Sequence, residues 1–140
     1  MTLSQSADSE PGKNYFLKKR ILIVDDEFDV TLSLKLGLEK HGFIVSTYND
    51  PVLALSEFKA GLFDLLFADI RMPGMSGFEL YEKIKQIDDR IEVCFITAFE
   101  EYYGQLGKAF PKLDLQRCYL VKPITISDLV ERVKTILNIN

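Results

Sequence analysis

The chain has no tryptophan, one histidine (His41) and two cysteines, Cys94 and Cys118, in 140 residues. Two thiols cannot build a disulfide scaffold, and one imidazole beside two thiols makes a poor zinc set. Any metal must then be held mainly by oxygen. Long apolar runs are also missing. The longest clean ones, Ile21–Val24 and Leu65–Ala68, fall far short of the ~18 residues that suggest a membrane span. Nor is there an excess of positive charge: 17 basic and 21 acidic residues leave −4, with a pI near 5.0. That balance argues against a direct nucleic-acid surface. The opening stretch, Met1 to Lys13, lacks the charged-then-apolar layout of a signal peptide. The expected location is therefore the cytoplasm, with no membrane insertion.

What is present suffices for one ordinary domain. Apolar residues make up 47% of the chain, close to the globular average. Residues 1–18 read as a disordered polar leader, rich in serine with Pro11 and Gly12. Residues 19–140 then alternate between short apolar runs and amphipathic segments. Strands are expected at Ile21–Val24, Phe43–Tyr48, Asp64–Ala68, Ile91–Thr97 and Cys118–Val121. Val30, Leu34 and Leu38 recur on one helical face, and Gly42 is a stop signal. Asn49 or Asp50 can cap a helix that starts at Pro51, buries Leu55 and Phe58, and ends near Gly61. A short helix is expected over Phe78–Lys85. A weak candidate spans Glu100–Phe110. A last helix follows the capping box Thr125-Ile126-Ser127-Asp128 and carries Leu129, Val130, Val133, Ile136 and Leu137. Strands apolar on both faces, alternating with helices, imply an α/β fold with a parallel sheet covered on both sides.

Ligands of such sheets bind beyond the carboxyl ends of the strands. Asp25, Asp26 and Glu27 follow the first strand, Asp69 ends the third, Thr97 ends the fourth and Lys122 follows the fifth. Each alone has a plainer role as turn former, helix cap or solvated charge. Together at one sheet edge they form a different object. Clustered carboxylates repel unless a cation joins them. An all-oxygen set suits Mg²⁺, which favours carboxylates together with phosphate oxygens, and Mn²⁺ could replace it. Lysine and threonine supply donors for a phosphoryl oxygen. This is equipment for moving a phosphoryl group by positioning and charge neutralisation.

Four segments carry a family resemblance: Ile-Val-Asp-Asp-Glu at 23–27, Ala-Asp-Ile-Arg-Met-Pro-Gly-Met-Ser-Gly at 68–77, Ile-Thr-Ala at 96–98 and Val-Lys-Pro at 121–123. They resemble the receiver domain of two-component response regulators, over about Lys19 to Leu137. The resemblance implies a flavodoxin-like five-stranded parallel sheet, order 2-1-3-4-5, with helices on both faces. It implies Asp69 as phosphoacceptor, taking phosphoryl from a phosphohistidine of a sensor histidine kinase or a phosphotransfer protein. Asp26, Asp69 and the Arg71 carbonyl would coordinate Mg²⁺, with Asp25 acting through water. Thr97 and Lys122 would contact phosphoryl oxygens, and Tyr119 holds the position of the switch aromatic. The output would be a protein-interaction surface, helix 4–strand 5–helix 5, read by a downstream effector protein. The reading is a switch and not an enzyme with turnover.

Two departures stand out. From Thr97 to Lys122 the chain runs 25 positions, a few more than the resemblance implies. Gly104, Gly107 and Pro111 lie in that interval, so an atypical fourth helix is expected. Phe99 and Arg71 flank the expected path of an attacking water. Phe99 offers no hydrogen bond to that water, so slow self-dephosphorylation is expected. Tyr102 and Tyr103 could anchor a partner or pack on the sheet. Other readings remain open: a receiver fragment of a longer DNA-binding or enzymatic regulator, a phosphorylation-independent interaction module, or a phosphohydrolase. The last would need an acid where Arg71 stands.

Overall fold

The computed structural model describes residues 18–99 and 102–139. The expected leader, apart from Lys18, lies outside the described residues, as do Glu100 and Glu101. Five strands form one parallel sheet: β1 (Arg20–Val24), β2 (Ile44–Tyr48), β3 (Leu65–Asp69), β4 (Glu92–Thr97) and β5 (Tyr119–Val121). Their order is β2-β1-β3-β4-β5, as expected. The helices are α1 (Phe28–Glu39), α2 (Pro51–Glu57), α3 (Gly77–Ile87), α4 (Tyr102–Ala109) and α5 (Ile126–Leu137), with a separate helical turn at Leu115–Cys118.

Alternation along the central strands divides the core in two. Ile21 and Ile23 of β1, with Leu65 and Phe67 of β3, face Leu34 and Leu38 of α1 and Leu129, Val133 and Ile136 of α5. Leu22 and Val24, with Leu66 and Ala68, face Ala54, Leu80 and Ile84 on α2 and α3. A strand apolar at every position is what a sheet sandwiched between helices requires. Register pairs Val24 with Ala68 and Asp69 with Ile96, so the strand ends share one edge.

Capping sets where the helices begin. Asp50, not Asn49, caps α2, its Oδ1 accepting from Val52 N at 2.9 Å. Ser76 caps α3 through Glu79 N, and Thr125 caps α5 through Asp128 N. Helix α2 stops at Glu57, short of the expected Gly61, because Phe58 takes an extended ψ of 138°. Phe58 is still buried, from outside the helix, whereas Leu55 is only partly covered. Gly42, with φ 92°, ends the turn after α1.

The expected irregularity between β4 and β5 is real, and its form is now specific. Phe110 leaves α4 and stacks on Phe95 at 6.1 Å, with edge contacts to Phe78 and Tyr81. Asp114 then caps the turn Leu115–Cys118, accepting from Gln116 N. Cys118 closes that turn and does not open β5, as the sequence had suggested. Both sheet edges carry a cation from the neighbouring helix. Lys35 Nζ of α1 donates to Val45 O of β2 at 2.9 Å, and Arg132 of α5 donates to Tyr119 O of β5 at 2.9 Å.

Candidate functional site

Asp25 is the first residue beyond β1 and is wholly buried. Its backbone N–H donates to Tyr48 O, its carbonyl accepts from Asn49 Nδ2 at 2.8 Å, and its Oδ1 accepts from Glu27 N at 3.0 Å. These bonds fix the side chain with Oδ2 turned inward. Oδ2 has no hydrogen-bond partner of regular geometry, and what it meets is the Lys122 ammonium at 2.6 Å.

Asp69 ends β3 and is 6% exposed. The chain turns behind it at close quarters. Gly77 N donates to Ile70 O at 2.9 Å, and a Cβ on Gly77 would collide with the Asp69 carbonyl oxygen. Glycine is needed here for space, so that α3 can start directly against the strand that presents the acid. Burial pushes the Asp69 carboxyl up, the nearby Asp25 charge adds to this, and Lys122 opposes them, leaving the pKa at about 6.

Lys122 follows β5, held by its N–H to Thr97 O at 2.7 Å. Its ammonium meets three carboxylates: Asp25 at 2.6 Å, Glu27 at 3.2 Å and Asp69 at 3.4 Å. Burial disfavours the charged lysine, but the close contact and charge of Asp25, with Asp69 and Glu27, outweigh it and hold the pKa above the usual value.

Thr97 is buried at the end of β4, and its Oγ1 accepts from Phe99 N at 3.2 Å. Tyr119 is also buried. Its hydroxyl donates to Phe99 O at 2.8 Å, and its ring meets Tyr103 edge-on at 5.2 Å. Tyr103 therefore touches the core aromatic and is also 45% exposed, which joins the two alternatives for it. The Arg71 guanidinium lies over the Phe99 ring, 4.8 Å from its centre.

Most of the expected residues thus stand at one edge. Asp25, Asp69 and Lys122 are in contact, and Thr97 is tied to Lys122 through the backbone. Asp26 differs: it is exposed and outside the contact set. Among the described residues the carboxylates that approach one another, within 4.8 Å, are those of Asp25, Glu27 and Asp69. Glu27 and Asn49 are the residues that sequence reasoning left without a role at the site. The Asp-Asp-Glu run put Glu27 nearby, but spacing along a turn does not say which acid reaches the lysine. The oxygen donors at this edge fit a hard divalent cation: one buried Asp25 carboxylate oxygen lacks a regular hydrogen bond, and the Asp69 carboxyl, raised first by burial, also feels the charges of Asp25 and Asp26.

A family model described as the response regulator receiver domain matches residues 21–134. The transcriptional regulatory protein PrrA of Mycobacterium leprae is 35% identical over 118 residues, covering 84% of this chain and 49% of PrrA. The response regulator receiver protein CpdR of Brucella abortus is 32% identical over 119 residues, covering 85% of this chain and 97% of CpdR. The chain therefore spans about half the length of PrrA and nearly all of CpdR. Among solved structures, TrrA of Thermotoga maritima, in complex with Mg²⁺-BeF, superposes with a TM-score of 0.73 at 34% identity, covering 84% of this chain and 98% of that one. No helix among the described residues is long and apolar enough to cross a membrane. The matched span runs from β1 into α5 and takes in the edge just described, and the chain belongs to the response regulator receiver domain family.

Proposed function

We propose that this chain is a phosphoacceptor switch in which Asp69 takes a phosphoryl group from a phosphohistidine of a histidine kinase or phosphotransfer protein. The observation that carries this is the Lys122 ammonium shared between buried Asp25 and Asp69 at the strand ends. An Asp69 carboxylate oxygen attacks phosphorus, the P–N bond breaks, and the imidazole nitrogen leaves with the electron pair. Asp26, Asp69 and the Arg71 carbonyl would hold Mg²⁺, with Asp25 reaching it through water. When bound, the ion neutralises charge between carboxylates and phosphoryl oxygens. Lys122 gives the transferred group a fixed positive partner, and the Thr97 hydroxyl donates to another oxygen.

The new charge is read through β4 and β5. In this switch Thr97 Oγ1, which accepts from Phe99 N, turns its hydroxyl toward the phosphoryl group. Phe99 O is also the acceptor of the Tyr119 hydroxyl. Movement at Thr97 therefore shifts the support of α4, and the α4–β5–α5 surface presents two packings to a downstream effector protein. Arg71 stacked on Phe99 covers the approach of water and makes self-dephosphorylation slow. The scheme operates in the cytoplasm, on a protein partner and without direct nucleic-acid contact. The half-length match to PrrA supports a second reading, in which this receiver is the input half of a longer regulator. An immunoblot of cells, read for a band near 16.0 kDa or a larger one, separates the two.

The direct test is labelling with acetyl phosphate, with and without Mg²⁺, in wild type and Asp69→Asn. Label that depends on both is expected. Label that survives in Asp69→Asn would overturn the assignment, and no label in wild type would favour the phosphorylation-independent module.

A further inference from the structure

Glu27 is the acid at the site for which the phosphoacceptor reading has no use. It stands at the start of α1, yet its side chain makes no capping hydrogen bond there. Its Oε1 instead accepts from Lys122 Nζ at 3.2 Å. The three carboxylates around that ammonium are unequal. The Asp25 side chain is 0% exposed and the Asp69 side chain 9%, whereas that of Glu27 is 63% exposed. Asp25 is also held by the backbone N–H of Glu27, so it cannot withdraw without breaking the turn after β1.

An ammonium has three protons, and three carboxylates surround this one: Glu27 and Asp69 accept hydrogen bonds from it, and Asp25 pairs with it at 2.6 Å. A phosphoryl oxygen arriving at Asp69 needs one of those protons. Asp25 yields only at the cost of an unpaired buried charge, which is large. Glu27 yields cheaply, because its carboxylate is already largely in water. While it stays, it also sets a negative charge beside the place where an anion must enter.

We infer that Glu27 is a positioning residue that keeps a proton of Lys122 occupied in the resting state and must release it before the lysine can clasp the phosphoryl group. It acts through Lys122 and sets how tightly the pocket takes an anion, so it tunes sensitivity to the phosphodonor. The inference rests on the phosphoacceptor reading of Asp69 and Lys122.

The test uses beryllofluoride, an analogue of the bound phosphoryl group, at saturating Mg²⁺, with affinity read by ¹⁹F NMR or calorimetry. Mg²⁺ affinity is measured separately without beryllofluoride. In Glu27→Gln, beryllofluoride affinity should rise roughly two- to fivefold, the scale of losing one exposed ion pair. The gain should shrink as ionic strength rises from about 0.05 to about 0.5 M, because exposed charges are screened. Glu27→Asp keeps the charge but is one methylene too short for the contact, so its affinity should lie between wild type and the Gln variant. Unchanged or weaker beryllofluoride binding in Glu27→Gln would overturn the inference. So would wild-type behaviour in Glu27→Asp, which would assign the effect to charge alone. A Mg²⁺ affinity reduced in Glu27→Gln by more than about tenfold would make Glu27 a metal ligand instead, against the inference. Asp69→Asn is the control for the underlying reading. If wild type binds beryllofluoride no better than Asp69→Asn, that reading falls and this inference with it.

Discussion

The two turns that flank the acceptor are built by different means. After β3, the turn into α3 is fixed by backbone: Gly77 N bonds Ile70 O, and the Gly77 Cα sits where any side chain would strike the Asp69 carbonyl. After β4, the turn is held by side chains. Thr97 Oγ1 takes Phe99 N, the Tyr119 hydroxyl takes Phe99 O, and Arg71 covers the Phe99 ring. The first arrangement leaves no room for a side chain at position 77. The second consists of contacts worth about 1 kcal/mol each, which can be exchanged. Asp69, the proposed acceptor, is thereby fixed in place, while Thr97, Phe99 and Tyr119, which would report on it in the proposed switch, are held by exchangeable contacts.

The largest expected effect comes from breaking the rigid side. Gly77→Ala should cost about 2–3 kcal/mol and reduce Mg²⁺-dependent labelling of Asp69 more than tenfold. Urea unfolding and acetyl phosphate labelling measure the two. A variant that folds and labels as wild type would remove the contrast.

Next in size is the electrostatic cost of keeping Asp69 in that fixed place. Its folded pKa, about 6, lies above the ordinary carboxylate value. The folded form therefore binds the extra proton, and its contribution to stability is complete only below the ordinary value of 3.8 and is lost as the pH rises through about 6. Without Mg²⁺, Asp69→Asn should be more stable than wild type at pH 7.5, by about 2 kcal/mol, with the difference closing as the pH falls below about 4. Urea midpoints across that range decide it. A difference independent of pH would contradict the charge argument.

Smaller effects are expected on the exchangeable side. Phe99→Asn removes the ring under Arg71 and offers water a hydrogen-bonding amide, so the lifetime of phosphorylated Asp69 should shorten roughly fivefold, about 1 kcal/mol of barrier. An unchanged lifetime would end the shielding argument. Tyr119→Phe deletes one hydroxyl and should cost about 1 kcal/mol or less, leaving labelling intact. Its amide shifts should cluster at Phe99 and α4. Loss of labelling comparable to that of Gly77→Ala would show that the two turns are not mechanically distinct.

Much of this was legible from residues alone, for identifiable reasons. The strands were readable because β1 and β3 are apolar on both faces, a pattern that few other folds tolerate. The strand order came from the family resemblance and agrees with the structure; the edge that gathers Asp25, Asp69, Thr97 and Lys122 came from the rule that ligands of a parallel sheet bind beyond the carboxyl ends of its strands. The end of α2 was misjudged because Phe58 is buried in an extended conformation, and periodicity registers burial without registering ψ. The role of Phe110 was missed because Pro111 announces a break and says nothing of an aromatic stack across the sheet. Glu27 and Asp26 are adjacent acids, and only the three-dimensional course of the turn shows which one meets the lysine.

The cations on the two outer strands bear on a separate matter, the colloidal behaviour of the chain. An open parallel sheet has two unpaired borders, each able to template a foreign strand and seed aggregation. Here Lys35 occupies a carbonyl of β2, and Arg132 one of β5. Both cations come from helices that the sheet packs against anyway, so this protection needs no additional element. The proposed signalling surface would then offer a partner the side chains of β5 while one of its outward carbonyls is already occupied.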